Sequence, residues 1–116
     1  MIITQNEELF ERIKAIPIFE TLNFNFLELN NGFCKVVVPR DKNFDGIFES
    51  VHGGILMTIA DSIAACSILS ITGKDQKMAT TDMNIRFFAP CKTDVIAEAK
   101  IDKKGRTLNL VLINLY

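Results

Sequence analysis

At 116 residues the chain has room for one domain with one core and not for two. Apolar residues make up 48% and charged residues 23%, which excludes a disordered chain. A formal net charge of −1 excludes an overall positive field for gripping nucleic acid, and Lys103, Lys104 and Arg106 around Gly105 read as a solvated hairpin tip.

Residues 4–16 are predicted as a short amphipathic helix. Thr4 and Glu7 have capping-box spacing, and Leu9, Phe10, Ile13 and Ile16 fall on one face before Pro17 stops the run. Residues 22–39 read as a hairpin. Leu22, Phe24 and Phe26 alternate with polar neighbours, and Asn30-Asn31-Gly32 supplies the turn. The return strand, from Phe33 to Val38, is rich in β-branched residues and ends at Pro39. A loop follows over 40–51, containing Asp41, Asn43, Asp45 and Gly46.

A long apolar helix is predicted over about 52–71, with Thr72-Gly73 as its stop. Residues 53–71 approach the length of a membrane span, but Asp61, Thr58, Ser62, Ser67 and Ser70 interrupt them. A buried helix in a soluble core is the better reading. Residues 79–89 are expected as a strand with Thr81, Met83, Ile85 and Phe87 on one face and Thr80, Asp82, Asn84 and Arg86 on the other. Residues 94–101 alternate through Val95, Ala97, Ala99 and Ile101; a turn over 102–106 leads into a last strand, 107–116. A helix that is apolar all round must be wrapped by a sheet or by a partner. The order of elements therefore predicts an α+β domain, with an antiparallel sheet curled around one central helix, spanning 1–116.

Cys34, Cys66 and Cys91 are odd in number and show no CxxC spacing. A disulfide framework is not expected; a reducing, cytoplasmic location is. The N-terminus shows no secretory pattern. With His52 the single histidine, a zinc site would need all three widely spaced cysteines, so no metal site is predicted. Neither a P-loop nor a dinucleotide fingerprint is present, so no cofactor is implied.

The chemistry concentrates at Val51-His52-Gly53-Gly54-Ile55-Leu56-Met57-Thr58-Ile59-Ala60-Asp61. Gly53 and Gly54 open a helix, where backbone N–H groups are unpaired and the dipole is positive. Without a Cβ, a substrate carbonyl can approach that backbone, which makes an oxyanion hole at Gly53 one reading and tight packing of the helix start the other. Asp61 is the only charged residue of the helix, and it falls near Gly54, Thr58 and Ala65 on a helical wheel. Buried there, a carboxylate is either useful or paired with a basic side chain of the sheet. His52 lacks a nucleophile elbow and is read as positioning the helix start. Eight residues separate Gly53 from Asp61, about 12 Å along one helix, so both cannot touch one reacting carbon. Two antiparallel copies of the helix could join them, which predicts a homodimer or a dimer of dimers.

This segment, followed by the strand Ala79-Thr80-Thr81-Asp82-Met83-Asn84-Ile85-Arg86-Phe87-Phe88-Ala89-Pro90, resembles the HGG-x6-D signature of hot-dog-fold thioesterases of the PaaI type, over about residues 17–116. The resemblance implies a hot-dog fold, an acyl-CoA substrate carrying an aryl or fatty acyl group, and a site shared across a dimer. It implies Asp61 as general base or nucleophile, Gly53 N–H as oxyanion donor, and Thr80 as an orienting hydroxyl, with His52 and Gly54 beside the substrate.

Two departures stand out. Many relatives carry Asn or Gln six residues before the histidine, where this chain has Gly46; Asn43 and then Glu49 are the polar candidates to replace it. Family members also run one strand beyond the position of Tyr116, so an open sheet edge, or another segment filling the gap, is expected. The alternatives to hydrolysis are a non-catalytic acyl-CoA-binding module and a hydroxyacyl-thioester dehydratase. The dehydratase places its histidine in a separate loop, which His52 beside Gly53 fits poorly.

Overall fold

Asn31 and Gly32 hold the left-handed backbone that a tight hairpin turn requires, with φ of 49° and 82°. In this computed structural model, which describes residues 3–4, 7–87, 89–105 and 109–116, that turn joins β2 (Asn25–Asn30) to β3 (Phe33–Val38). The two strands pair antiparallel with Leu29 opposite Cys34. β3 then pairs antiparallel with β4 (Val95–Lys104), and β4 with β5 (Asn109–Leu115). A two-residue β1 (Ile3–Thr4) runs parallel to β2, so the sheet order is β1-β2-β3-β4-β5.

One helix, α3 (Gly53–Thr72), lies across this sheet. Leu56, Ile59, Ile63 and Cys66 of α3 are buried against a sheet face carrying Leu29, Cys34, Val36, Ala97 and Ala99. The period-two burial of β3 and β4 and the apolar side of α3 thus make one core. Gly32 touches the far end of the helix. Its N–H donates to Ser70 Oγ at 2.7 Å, and a Cβ there would fall 2.9 Å from Ile71 Cδ1. Gly73 ends α3 at φ 101°, donating its N–H to Leu69 O.

This is the α+β hot-dog architecture expected from the sequence: an antiparallel sheet on one long central helix. The wrap is one-sided. Gly54, Met57 and Asp61 lie on a face of α3 that the sheet leaves exposed. The helix is long and apolar enough to cross a membrane by length and composition, and one side of it is packed into the core.

Several expectations need correction. The helix predicted over 4–16 is two helices, α1 (Glu7–Ile13) and α2 (Pro17–Thr21). Pro17 opens the second, because the missing N–H costs nothing in a first turn. Thr4 belongs to β1, and the segment that would complete a capping box with Glu7 lies outside the described residues. Leu22 and Phe24 precede β2; Phe24 stacks on Phe19 at 4.7 Å, in an aromatic cluster that Phe10 and Phe26 join. Within the loop 40–51, Lys42–Phe44 forms a 3-10 turn capped by the Asp41 side chain. The strand predicted over 79–89 is not one: residues 76–87 join no strand ladder, and Thr80 and Phe87 meet α3 instead. Residue 88, Arg106 of the predicted basic tip, and residues 107–108 lie outside the described residues.

Candidate active site

His52 starts the site. Its backbone is extended, with φ −56° and ψ 133°, and its Nδ1 accepts the Gly54 N–H at 2.8 Å. The ring therefore fills the N-cap role usually taken by Ser, Thr, Asn or Asp. With Nδ1 accepting, the neutral ring carries its proton on Nε2. The His52 carbonyl accepts from Ile55 and Leu56 at 2.9 and 3.1 Å. Among the described residues the Gly53 N–H has no hydrogen-bond acceptor. One unpaired donor is thus left at the positive end of a 20-residue helix. A Cβ on Gly53 would lie 3.5 Å from the Phe87 ring, and one on Gly54 only 3.0 Å from His52 Nδ1.

The loop before His52 is tied down by Arg40, a residue that sequence reasoning missed. Its guanidinium donates to Asp45 Oδ2 at 2.7 Å, to Glu49 O at 3.0 Å and to Cys91 O at 3.0 Å. Its own N–H donates to Asp94 Oδ1 at 2.8 Å. The partners come from two separate stretches of chain, 45–49 and 91–94, so no local pattern announces them. Val51 N–H donates to Cys91 O, and His52 N–H to Phe44 O. These bonds fix where α3 begins.

Asp61 sits two turns along α3. The sequence reading placed this carboxylate in the interior; it is exposed, because the face it occupies turns away from the sheet. Its partner is the Thr80 hydroxyl, which donates to Asp61 Oδ1. The pair lines an open cleft of about 280 Å³ together with Met57, Thr58 and Met83. Thr58 turns its own hydroxyl back to Gly54 O at 2.9 Å. The extended segment therefore runs along α3 with Thr80 near Asp61, Met83 near Met57, and Phe87 near Gly53.

The structure joins Asp61 to Thr80, and His52 to Gly53 and Gly54. It does not bring Asn43 or Gly46 to the cleft. Asn43 is exposed in the 3-10 turn, where its N–H binds Asp41 Oδ1. Gly46 packs on His52, where a Cβ would sit 3.6 Å from the histidine Cα, and its N–H donates to Ser50 O. Neither supplies a polar group to the cleft. Glu49 is exposed with φ 55° and lends only its carbonyl, to Arg40. What remains is a carboxylate that can take a proton, a hydroxyl that orients it, and a free N–H at a helix start. That is an equipment list for acyl transfer to water.

Known proteins resemble this chain in sequence and in fold. The sequence profile described as Thioesterase superfamily matches residues 48–116. A Saccharolobus solfataricus protein named "Putative esterase" is 30% identical over 108 residues, covering 92% of this chain and 75% of its own. A thioesterase family protein from Silicibacter pomeroyi superposes with a TM-score of 0.88 at 22% identity, over 95% of this chain and 82% of that one. The E. coli PaaI protein from the phenylacetic acid degradation operon superposes at 0.77 with 16% identity, over 92% of this chain and 86% of that one.

Proposed function

We propose, from the premise that the chain belongs to the thioesterase superfamily, that it hydrolyses the thioester bond of an aryl- or fatty-acyl-CoA as a cytoplasmic homo-oligomer. The observation that carries this reading is the Asp61–Thr80 pair, set in an open apolar cleft on the one face of α3 that the sheet does not cover. A carboxylate held by a hydroxyl beside apolar walls suits a base that must meet water and an acyl group together.

In this mechanism the thioester oxygen rests on the Gly53 N–H. Water attacks the carbonyl carbon while Asp61 takes one of its protons, and the oxyanion stays on Gly53. The intermediate collapses by breaking the carbon–sulfur bond. The CoA thiolate leaves and receives the proton from Asp61. Direct attack by Asp61 as nucleophile would use the same parts, with water cleaving the resulting anhydride. Thr80 holds the carboxylate in position, and His52 holds Gly54 so that the neighbouring Gly53 N–H points outward.

Gly53 and Asp61 stand about 12 Å apart along α3, so one chain cannot bring both to one carbon. Two antiparallel copies of α3 bring Gly53 of one subunit to Asp61 of the other, and the exposed Gly54, Met57 and Asp61 give them a face to meet on. A second reading, acyl-CoA binding without turnover, draws on Gly46, where the family resemblance leads one to expect a polar side chain and the glycine offers none. Release of free thiol from a panel of aryl- and alkyl-CoA thioesters, together with light scattering, tests both points. No turnover of any substrate hands the site to the binding reading. A fully active 13.0 kDa monomer removes the shared site.

A further inference from the structure

The loop before α3 exposes two large apolar side chains in succession, Ile47 at 91% and Phe48 at 82%. Isolated apolar residues on a surface need no account, but this pair sits on a tip that is built to hold it. Gly46 N–H closes the loop on Ser50 O at 2.8 Å, and Asp45 pairs with Val51 across it. Arg40 clamps both sides, through Asp45 Oδ2 and Glu49 O, and Glu49 adopts φ 55° to make the turn. Several hydrogen bonds and a left-handed residue thus fix a conformation whose result is two hydrophobic groups in water.

The position of the tip gives it a use. Gly46 packs directly on His52, so Ile47 and Phe48 begin one and two residues from that contact, within about 7 Å of chain. His52 in turn holds Gly54, beside the free Gly53 N–H. An acyl group whose carbonyl oxygen rests on that N–H therefore lies next to the tip.

We propose that Ile47 and Phe48 form an apolar wall for the acyl group and so set its preferred length and bulk. They do so for the Asp61 of a second copy, because their tip travels with Gly53. This rests on the shared-site thioesterase reading and names the specificity residues within it. The facing wall is the half-open stripe around the second copy's Asp61, with Met57 on one side, Ala65 and Ile68 on the other, and Met83 across the cleft. The substrate class is an acyl thioester with a sizeable hydrocarbon group, since a short polar acyl group would leave both walls wet.

Mixed oligomers of two differently tagged chains test this. In each, one chain carries Asp61→Asn, so the surviving site uses the other chain's Asp61. The pair Ile47→Ser and Phe48→Ser is then placed on one chain or the other; both positions are exposed, so folding is spared. Carried by the Asp61→Asn chain, the serines should lower kcat/KM for long-chain relative to short-chain acyl-CoAs by at least about tenfold. Carried by the Asp61 chain, they should leave that ratio unchanged. The reverse pattern, or no change in either, overturns the proposal. If the wild type turns over no acyl-CoA, the hydrolase reading fails by itself, and calorimetry with S-alkyl-CoA thioethers decides the tip. Affinity that rises with alkyl length and loses that rise in the serine variant upholds the wall; an unchanged rise removes it.

Discussion

Thr80, on the extended segment, donates its hydroxyl to the Asp61 carboxylate on α3, across 19 residues of chain. The bond ties a stretch with no strand partners to the central helix, and it places a hydrogen-bonded carboxylate in a cleft between Met57 and Met83. Asp61 is exposed, so folding does not require its charge to be neutralised. Asp61→Asn keeps a side-chain oxygen for Thr80 and loses the basicity. We expect a cooperative, oligomeric fold and a kcat lower by at least about 100-fold. Circular dichroism and light scattering on the assayed sample provide the control. A folded variant with near-normal hydrolysis would take Asp61 out of the mechanism.

Thr80→Val removes the donor and preserves the shape. The hydrogen bond is at the surface, so stability should change by no more than about 1 kcal/mol. Turnover should fall about tenfold, because the carboxylate loses the group that orients it. Thr80→Ser should restore most of the rate. If valine and serine behave alike, the hydroxyl plays no part.

Gly53 tests the oxyanion assignment. A Cβ there would meet the Phe87 ring at 3.5 Å, an ordinary contact, so Gly53→Ala should fold normally. The γ-methyls of Gly53→Val reach further and crowd both the ring and the space over the N–H. We expect kcat/KM to drop about tenfold in alanine and about 100-fold in valine. Wild-type kinetics in Gly53→Val with intact thermal melting would remove the oxyanion role.

Much of this was legible in the residues. The Asn31-Gly32 turn, the alternation of β3 and β4, and the apolar run of α3 each follow from local chemistry, and so do the hairpin, the sheet and the central helix. His52 as the positioner of the helix start was also readable, because it directly precedes two glycines. Other features depend on what lies nearby in space. The 79–87 pattern alternates like a strand, yet a strand forms only where another edge can pair with it, and among the described residues none does. Asp61 looked buried because its helix is apolar all round; which face meets the sheet is a matter of packing, and the packing leaves Asp61 outside. Arg40 drew no notice because its bonds reach Asp45, Glu49, Cys91 and Asp94 together.

Arg40 and Asp45 make the next prediction. Their side chains are 17% and 13% exposed, and Asp45 Oδ1 is buried without a partner, so this carboxylate depends on Arg40 through its other oxygen. Arg40→Met leaves the carboxylate unpaired and frees the 45–51 loop. Urea unfolding should report a loss of about 3–5 kcal/mol. The double change Arg40→Met with Asp45→Leu should recover a large part of it, because the stranded charge is gone. A single variant as stable as wild type would mean that the loop is held by its backbone bonds alone.

Cys34 of β3 and Cys66 of α3 are both buried, and they meet across the helix–sheet interface. The hydrogen bond with Cys66, then burial, then repulsion from the Cys66 thiolate push the Cys34 thiol well above its ordinary value of 9.0. The folded protein therefore keeps this proton at pH values where the unfolded chain has released it. The resulting stabilisation is complete below the unfolded value. It fades as the pH rises beyond that value towards the folded one, because the unfolded state then binds fewer protons than the native state. The Tm should accordingly fall as the pH is raised above 9.0. Lysines and the tyrosine titrate in the same range, so the slope and not the Tm itself is the readout. Cys34→Ala leaves a small cavity and lowers the Tm at every pH, but it removes the titrating group, and the alkaline slope should flatten. Cys66→Ala takes away the largest cause of the shift and leaves burial, so its slope should lie between the two. Equal slopes in all three proteins would show that the buried thiol pair does not couple protonation to folding.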